Sequence, residues 1–221
     1  MNIKDVHDLF LLIYNKEQNA DMTHEQIDSL LHAEQITMMN GMYEMYRKNK
    51  RLDDALSPFK EVYSFVDGNT ASGVITIPAG YFGILSLMVS QYDNDLARNV
   101  YSSVEVVDEE ELIDRLESQV VPVSVDDPIA IMSKDRKIQL FPEEPATGKL
   151  RYLRNPAAPV FAYSSSGRTI SYDGNNSTQL EWGDRDIIKI IYNALVTAGV
   201  RNMSPDLMQM AQAKYSMEVK P

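Results

Sequence analysis

Cysteine is absent from the 221 residues, which excludes disulfides, thiolate nucleophiles and Cys-based metal centres. A reducing cytoplasm, or any place that asks for no redox staple, suits such a chain. No apolar run approaches the roughly 20 residues that a membrane-spanning helix needs. The opening Met1-Asn2-Ile3-Lys4-Asp5 lacks the basic, apolar, small-residue order of a signal peptide, so neither a membrane partner nor a secretory leader is expected. Positive charge is also short: 21 Lys and Arg stand against 32 Asp and Glu, a formal net charge of −11. Nucleic-acid binders normally display a basic face, because neutralised phosphates supply most of their non-specific affinity.

Chemistry-bearing motifs are missing as well. The histidines are His7, His24 and His32, all in the N-terminal stretch and in no His-Glu-x-x-His pattern. The spacing of His24 and His32 exceeds two helical turns, too far to share a metal unaided, so the three are read as surface or helix-packing residues. There is no Gly-x-x-x-x-Gly-Lys loop, no Gly-x-Gly-x-x-Gly behind a strand and no Gly-x-Ser-x-Gly elbow. Asp173-Gly174-Asn175-Asn176 resembles part of a calcium loop without its remaining ligands, and a tight turn is the better reading. No catalytic residue, cofactor or metal is therefore expected, and the chain is not read as an enzyme.

What is present is an ordinary globular composition, 44% apolar and 24% charged, enough for a real core. Val6, Leu9, Phe10 and Ile13 keep helical spacing, predicting a helix over 3–15. Thr23-His24-Glu25-Gln26 fits a capping box, and Ile27, Leu30, Leu31, Met38, Met42, Met45 and Tyr46 continue a long helix to about Arg47. The Met run is either an adaptable docking stripe or core filler, with core favoured. Asp53 to Phe59 adds at most a helical turn. Strands are predicted over 74–77, within 82–92 and 99–107 as a hairpin, and over 129–132, 137–141 and 149–153. Between them, Asp108-Glu109-Glu110-Glu111 loads acids onto the first turn of a helix ending near Ser118.

Ser164 to Thr178, rich in Ser, Gly and Asn, reads as an exposed loop or hairpin arm. Ile187, Ile188, Ile191, Ala194, Leu195 and Ala198 form the face of a helix capped by Asp184 and closed by Gly199, and Ser204-Pro205 opens a last helix to about Met217. The fold class is α+β: N-terminal helices, a central antiparallel β meander with one inserted helix, and a C-terminal helical pair. The chain is taken as one domain, 1–221. It comprises a helical segment (1–62), a β-rich core (63–163), the arm (164–178) and C-terminal helices (179–221).

Charge is unevenly placed. From Glu105 to Asp127 nine acids stand against Arg115 alone, while Lys134 to Arg154 holds six bases against three acids. These are either two solvated faces or a self-complementary pair of surfaces on a repeated subunit.

In the C-terminal half, Leu150-Arg151-Tyr152-Leu153-Arg154-Asn155-Pro156, Pro159-Val160-Phe161-Ala162-Tyr163 and Ser177-Thr178-Gln179-Leu180-Glu181-Trp182 precede the Ile187–Ala198 helix and Gly199-Val200. Upstream lie Thr23 before a long helix, Leu56-Ser57-Pro58-Phe59, Ile77-Pro78 followed by Tyr81, and Asn99-Val100 approaching Glu105. In this order the segments resemble a virion-protein family of tailed phages of Bacteroidetes hosts, the crAss-like podoviruses among them. The Leu-Glu-Trp step is the most distinctive part. The resemblance implies a ring or adaptor protein of the head-to-tail connector, made in the host bacterial cytoplasm and placed in the portal-tail region of the virion. It implies a cyclic homo-oligomer, twelve-fold as is usual at a portal, partnered by the portal protein and other tail or ring proteins. Genomic DNA would pass through the lumen without sequence-specific binding.

Set beside the charge blocks, this expectation makes Glu109, Glu110, Glu111, Asp114, Lys149, Arg151, Arg154 and Trp182 the candidate subunit interface, with the 164–178 arm for contact between rings. Trp182 is either an interface anchor or, more simply, a core plug. Two other classes stay open: another tail component such as a hub, tube or fibre-attachment protein, or a cytosolic protein-binding module using the Met-rich helix as its groove.

Overall fold

Ile3, Val6, Phe10 and Ile13 recur at the helical period, and they are buried along one side of α1 (Ile3–Glu17). The next helix, α2 (His24–Lys48), starts at the predicted capping box. The Thr23 hydroxyl accepts from the Gln26 N–H at 3.3 Å, and the Gln26 side chain accepts from the Thr23 N–H at 3.1 Å. In the computed structural model the described residues are 1–17, 22–48, 54–66, 73–93, 98–118, 120, 122–124, 126–133, 135–143, 147–166 and 169–201. The predicted helix opening at Ser204-Pro205 lies outside them.

The chain divides into two compact units: Met1–Pro58 with the stretch from Pro156 onward, and Phe59–Asn155. Within the chain read from the sequence as one domain, Lys60 to Val62 belong to the sheet unit and Pro156 to Tyr163 to the helical unit. The class itself is α+β.

The helical unit holds α1, α2 and α4 (Asp184–Arg201), with both earlier helices packed on α4. Helix α4 continues past Gly199, where the sequence reading ended it; one glycine in a last turn costs only about 1 kcal/mol. The expected arm is a hairpin of β8 (Tyr163–Ser166) and β9 (Thr169–Tyr172). It is followed by a turn in which Asp173 Oδ1 accepts from the Asn175 N–H at 3.0 Å and Oδ2 from Asn176 Nδ2 at 2.6 Å. Asp173 is a turn residue, its carboxyl held below the ordinary range by these donors, Asn176 foremost.

The second unit is one sheet of seven strands: β1 (Lys60–Phe65), β2 (Val74–Thr76), β3 (Tyr81–Asp93), β4 (Arg98–Val107), β5 (Ile129–Ser133), β6 (Lys137–Phe141) and β7 (Thr147–Arg154). Their order is β1-β7-β3-β4-β5-β6-β2. The predicted 82–92/99–107 hairpin is the β3–β4 pair, and β5–β6 is a second local pair. The order is not that of a simple meander, because β7 inserts between β1 and β3. Pairing is antiparallel except between β4 and β5, whose parallel crossover carries α3 (Glu109–Glu117). Asp108 caps this helix, accepting from the Glu111 N–H at 2.8 Å, and three glutamates occupy the first turn, as read from the sequence.

Phe65, Ile75, Ile77, Leu87, Val89, Val104, Ala130, Ile138, Leu140, Leu150 and Tyr152 share one apolar cluster, so strands from both halves of the sheet turn the same face inward. From Lys149 to Tyr152 the side chains of β7 alternate, Leu150 and Tyr152 pointing into this core and Lys149 and Arg151 away from it; Leu153, of the same parity as Arg151, is nonetheless buried. Gly148 is fixed by space, since a Cβ there would lie 2.6 Å from the Phe65 ring and still closer to the Met88 carbonyl oxygen.

Candidate functional site

The sequence-derived interface residues separate into three groups. At 100° per residue, Glu109, Glu110, Ile113, Leu116 and Glu117 share the outer side of α3, while Leu112 and Arg115 turn inward. Glu109, Glu110, Glu111 and Asp114 are all exposed, and none forms an ion pair among the described residues. Arg115, the single base of this acidic stretch, bonds Asp127 at 2.8 Å within the same chain. The net negative charge of α3 therefore faces outward with no ion-pair partner among the described residues.

Lys149 and Arg151 form the second group, exposed on the outer face of β7. The Lys149 ammonium lies 5.5 Å from the centre of the Tyr101 ring. Val62 sits directly opposite Arg151 across the β1–β7 pair and is exposed. Arg154 does not join this surface. Its position in the alternation is that of Leu150 and Tyr152, and its guanidinium pairs with Glu61 at 3.2 Å and lies over the Phe59 ring. Placing Arg154 with Lys149 and Arg151 is corrected on this ground, and the parity of positions along the strand was signal enough to separate them.

Trp182 is the third. It is 5% exposed, and its indole N–H donates to Gln35 Oε1 at 3.3 Å, with the Gln35 amide donating in turn to the Ala157 carbonyl at 2.8 Å. It belongs to the interior of the helical unit, so the core-plug reading holds and its candidacy as an exposed anchor is withdrawn. Of the Met stripe on α2, Met39 is buried and Met45 exposed.

One constellation escaped the sequence reading. His7 is fully buried: Nε2 faces Asp28 Oδ1 at 2.8 Å and Nδ1 faces His24 Nδ1 at 2.9 Å. Asp28 Oδ2 accepts from the Phe161 N–H at 2.9 Å, and both imidazoles stack on the Phe161 ring, at 4.6 and 4.2 Å between centroids. Alongside, the Tyr163 hydroxyl donates to Glu25 at 2.8 Å. Burial pushes the His24 pKa down, and the neighbouring His7 adds to this against the opposing pull of Glu25, Asp28 and Asp8. The ring nitrogens of His7 are consumed by Asp28 and His24, so the cluster is a staple joining α1, α2 and the 161–163 segment. The available signal was periodicity: His7 falls on the same helical face as Ile3, Phe10 and Tyr14.

Among the described residues, no group of three or more His, Asp or Glu side chains is placed to hold a metal ion. None of the described helices is long and apolar enough to cross a membrane. A shallow open depression of about 370 Å³ on α1 is lined by Asp8, Leu11, Leu12 and Asn15, a single carboxylate without a titratable partner among these lining residues. No family model matches the chain, and no curated protein matches it.

Proposed function

We propose that this chain is a structural virion protein that forms a ring in the portal-tail connector of a short-tailed bacteriophage and leaves a passage for DNA. One observation carries the reading: two outward surfaces of unlike charge stand on a single unit, the carboxylates of α3 and the Lys149–Arg151 pair of β7. Such surfaces favour head-to-tail contact between copies, and heterologous contacts of this kind close into rings when the rotation allows.

The resemblance of the 150–163 and 177–182 segments supplies the virion setting: twelve-fold symmetry, the portal and neighbouring ring proteins as partners, and the portal-tail region as the place. A net charge of −11 suits the passage, because repulsion keeps the duplex from adhering as it moves. The exposed β8–β9 hairpin is the element for contact between rings. The role asks for no catalysis and no cofactor.

Negative-stain imaging of the purified full-length chain, alone and mixed with the portal protein, tests this function. Rings of uniform diameter in the first sample, or an added layer on the portal rings in the second, are expected. Dispersed particles the size of one copy in the first together with bare portal rings in the second would overturn it.

A further inference from the structure

Helix α3 is amphipathic, yet two of its three apolar side chains are left largely exposed. Ile113 and Leu116, one turn apart on the outer side, are 57% and 52% exposed, with Glu109, Glu110 and Glu117 around them. An apolar pair left about half in water on a helix of nine residues is surface that burial against a partner would stabilise. The outer face of β1 and β7 has the inverse composition. There Lys149 and Arg151 lie beside Val62, which is 58% exposed, and the Lys149 ammonium reaches toward the Tyr101 ring of β4, two strands away and 47% exposed. One surface is an apolar pair ringed by carboxylates, the other a basic pair flanked by apolar side chains.

The two do not meet within one chain. Helix α3 contacts β5, and β3 and β4 stand between β5 and β7 in the sheet order, a separation of about 14 Å at the usual strand spacing. Both surfaces are correspondingly exposed.

We infer that α3 of one copy docks on the β1–β7 face of the next, Ile113 and Leu116 against Val62, with Glu109, Glu110 and Glu117 set against Lys149 and Arg151. The occupant of each surface is a second copy of this chain. The inference rests on the ring reading and gives it a contact. Because the surfaces differ, the contact is heterologous and repeats from copy to copy.

Charge reversal in the full-length chain tests it. One variant carries Glu109→Lys, Glu110→Lys and Glu117→Lys; the other carries Lys149→Glu and Arg151→Glu. Each alone presents like charges on both surfaces, and its self-association should weaken on the order of tenfold or more in sedimentation. Mixed one to one, the variants present opposite charges again, and assembly should return with the two alternating. A second measurement uses the lack of native cysteine. A Glu110→Cys copy mixed with an Arg151→Cys copy should form a disulfide-linked pair under mild oxidation, whereas Glu110→Cys alone should not. Assembly of either reversed variant as tight as the parent's, failure of the mixture to recover, or cross-linking of Glu110→Cys to itself would overturn the docking. If the parent still forms rings in those cases, the ring reading survives; a parent that never self-associates overturns both.

Discussion

His7 and His24 face each other Nδ1 to Nδ1 at 2.9 Å, which requires one ring to donate and the other to accept. Both cannot be doubly protonated in this arrangement. Burial, then His7, holds the His24 pKa below its ordinary 6.5. Between that ordinary value and the depressed one, the unfolded chain binds more protons than the folded chain, so stability is lost as pH falls.

Melting temperature should therefore drop as pH is lowered from 7.5 through 6.5 and below, and His24→Gln should flatten that dependence. Glu25 and Asp173, whose carboxyls sit below their ordinary values, contribute losses only further into acid. A parent whose melting is level from about pH 7.5 to 5.5 would contradict the His24 assignment.

Trp182 is the one tryptophan, so its fluorescence reports the interior of the helical unit without labelling. Emission should be blue-shifted in the native protein and move red on unfolding. Trp182→Ala should cost about 3–5 kcal/mol in denaturant unfolding, and Trp182→Phe less, leaving Gln35 Oε1 without the indole donor. Red-shifted native emission would return Trp182 to the surface.

Gly148→Ala should destabilise the sheet by several kcal/mol, on the order of 3 or more, because the added methyl meets the Met88 carbonyl and Phe65 on a strand held from both sides. Circular dichroism melting checks this, and a drop of only a few tenths of a kcal/mol would mean that β7 yields more easily than its register implies.

The β8–β9 hairpin should be separable from the fold at its tip. Replacing residues 165–170 by Asn-Gly keeps Tyr163 and Tyr172, whose rings pack near Phe161. Melting should be unchanged within about 2 °C, and binding to a neighbouring ring component should weaken. Removing all of 164–178 is a different experiment. It deletes the Val160–Thr178 bridge and the Ser177 hydroxyl that accepts from the Ala162 N–H, so it should unfold the segment.

Local patterns carried most of what could be read in advance. The Val6, Phe10 and Ile13 spacing, the Thr23–Gln26 cap, the 82–107 hairpin and the acidic first turn of α3 are all fixed by neighbours within a few residues. Strand β1 was hidden because Lys60, Glu61 and Ser64 interrupt its apolar positions, and its pairing with β7 spans about ninety residues of sequence. The His7–His24–Phe161 stack joins three distant segments, and no spacing rule connects them. Among the interface candidates, the charge blocks were legible as blocks. Which side chains face together depended on strand parity for Arg154 and on tertiary burial for Trp182.

The most direct measurement is sedimentation velocity on the full-length chain across a salt series at fixed protein concentration. Self-association through unlike charges predicts a single closed species, many times the 25.0 kDa chain mass, that dissociates as salt rises from about 0.05 to 0.5 M. A species of one-chain mass at every salt and protein concentration would contradict it.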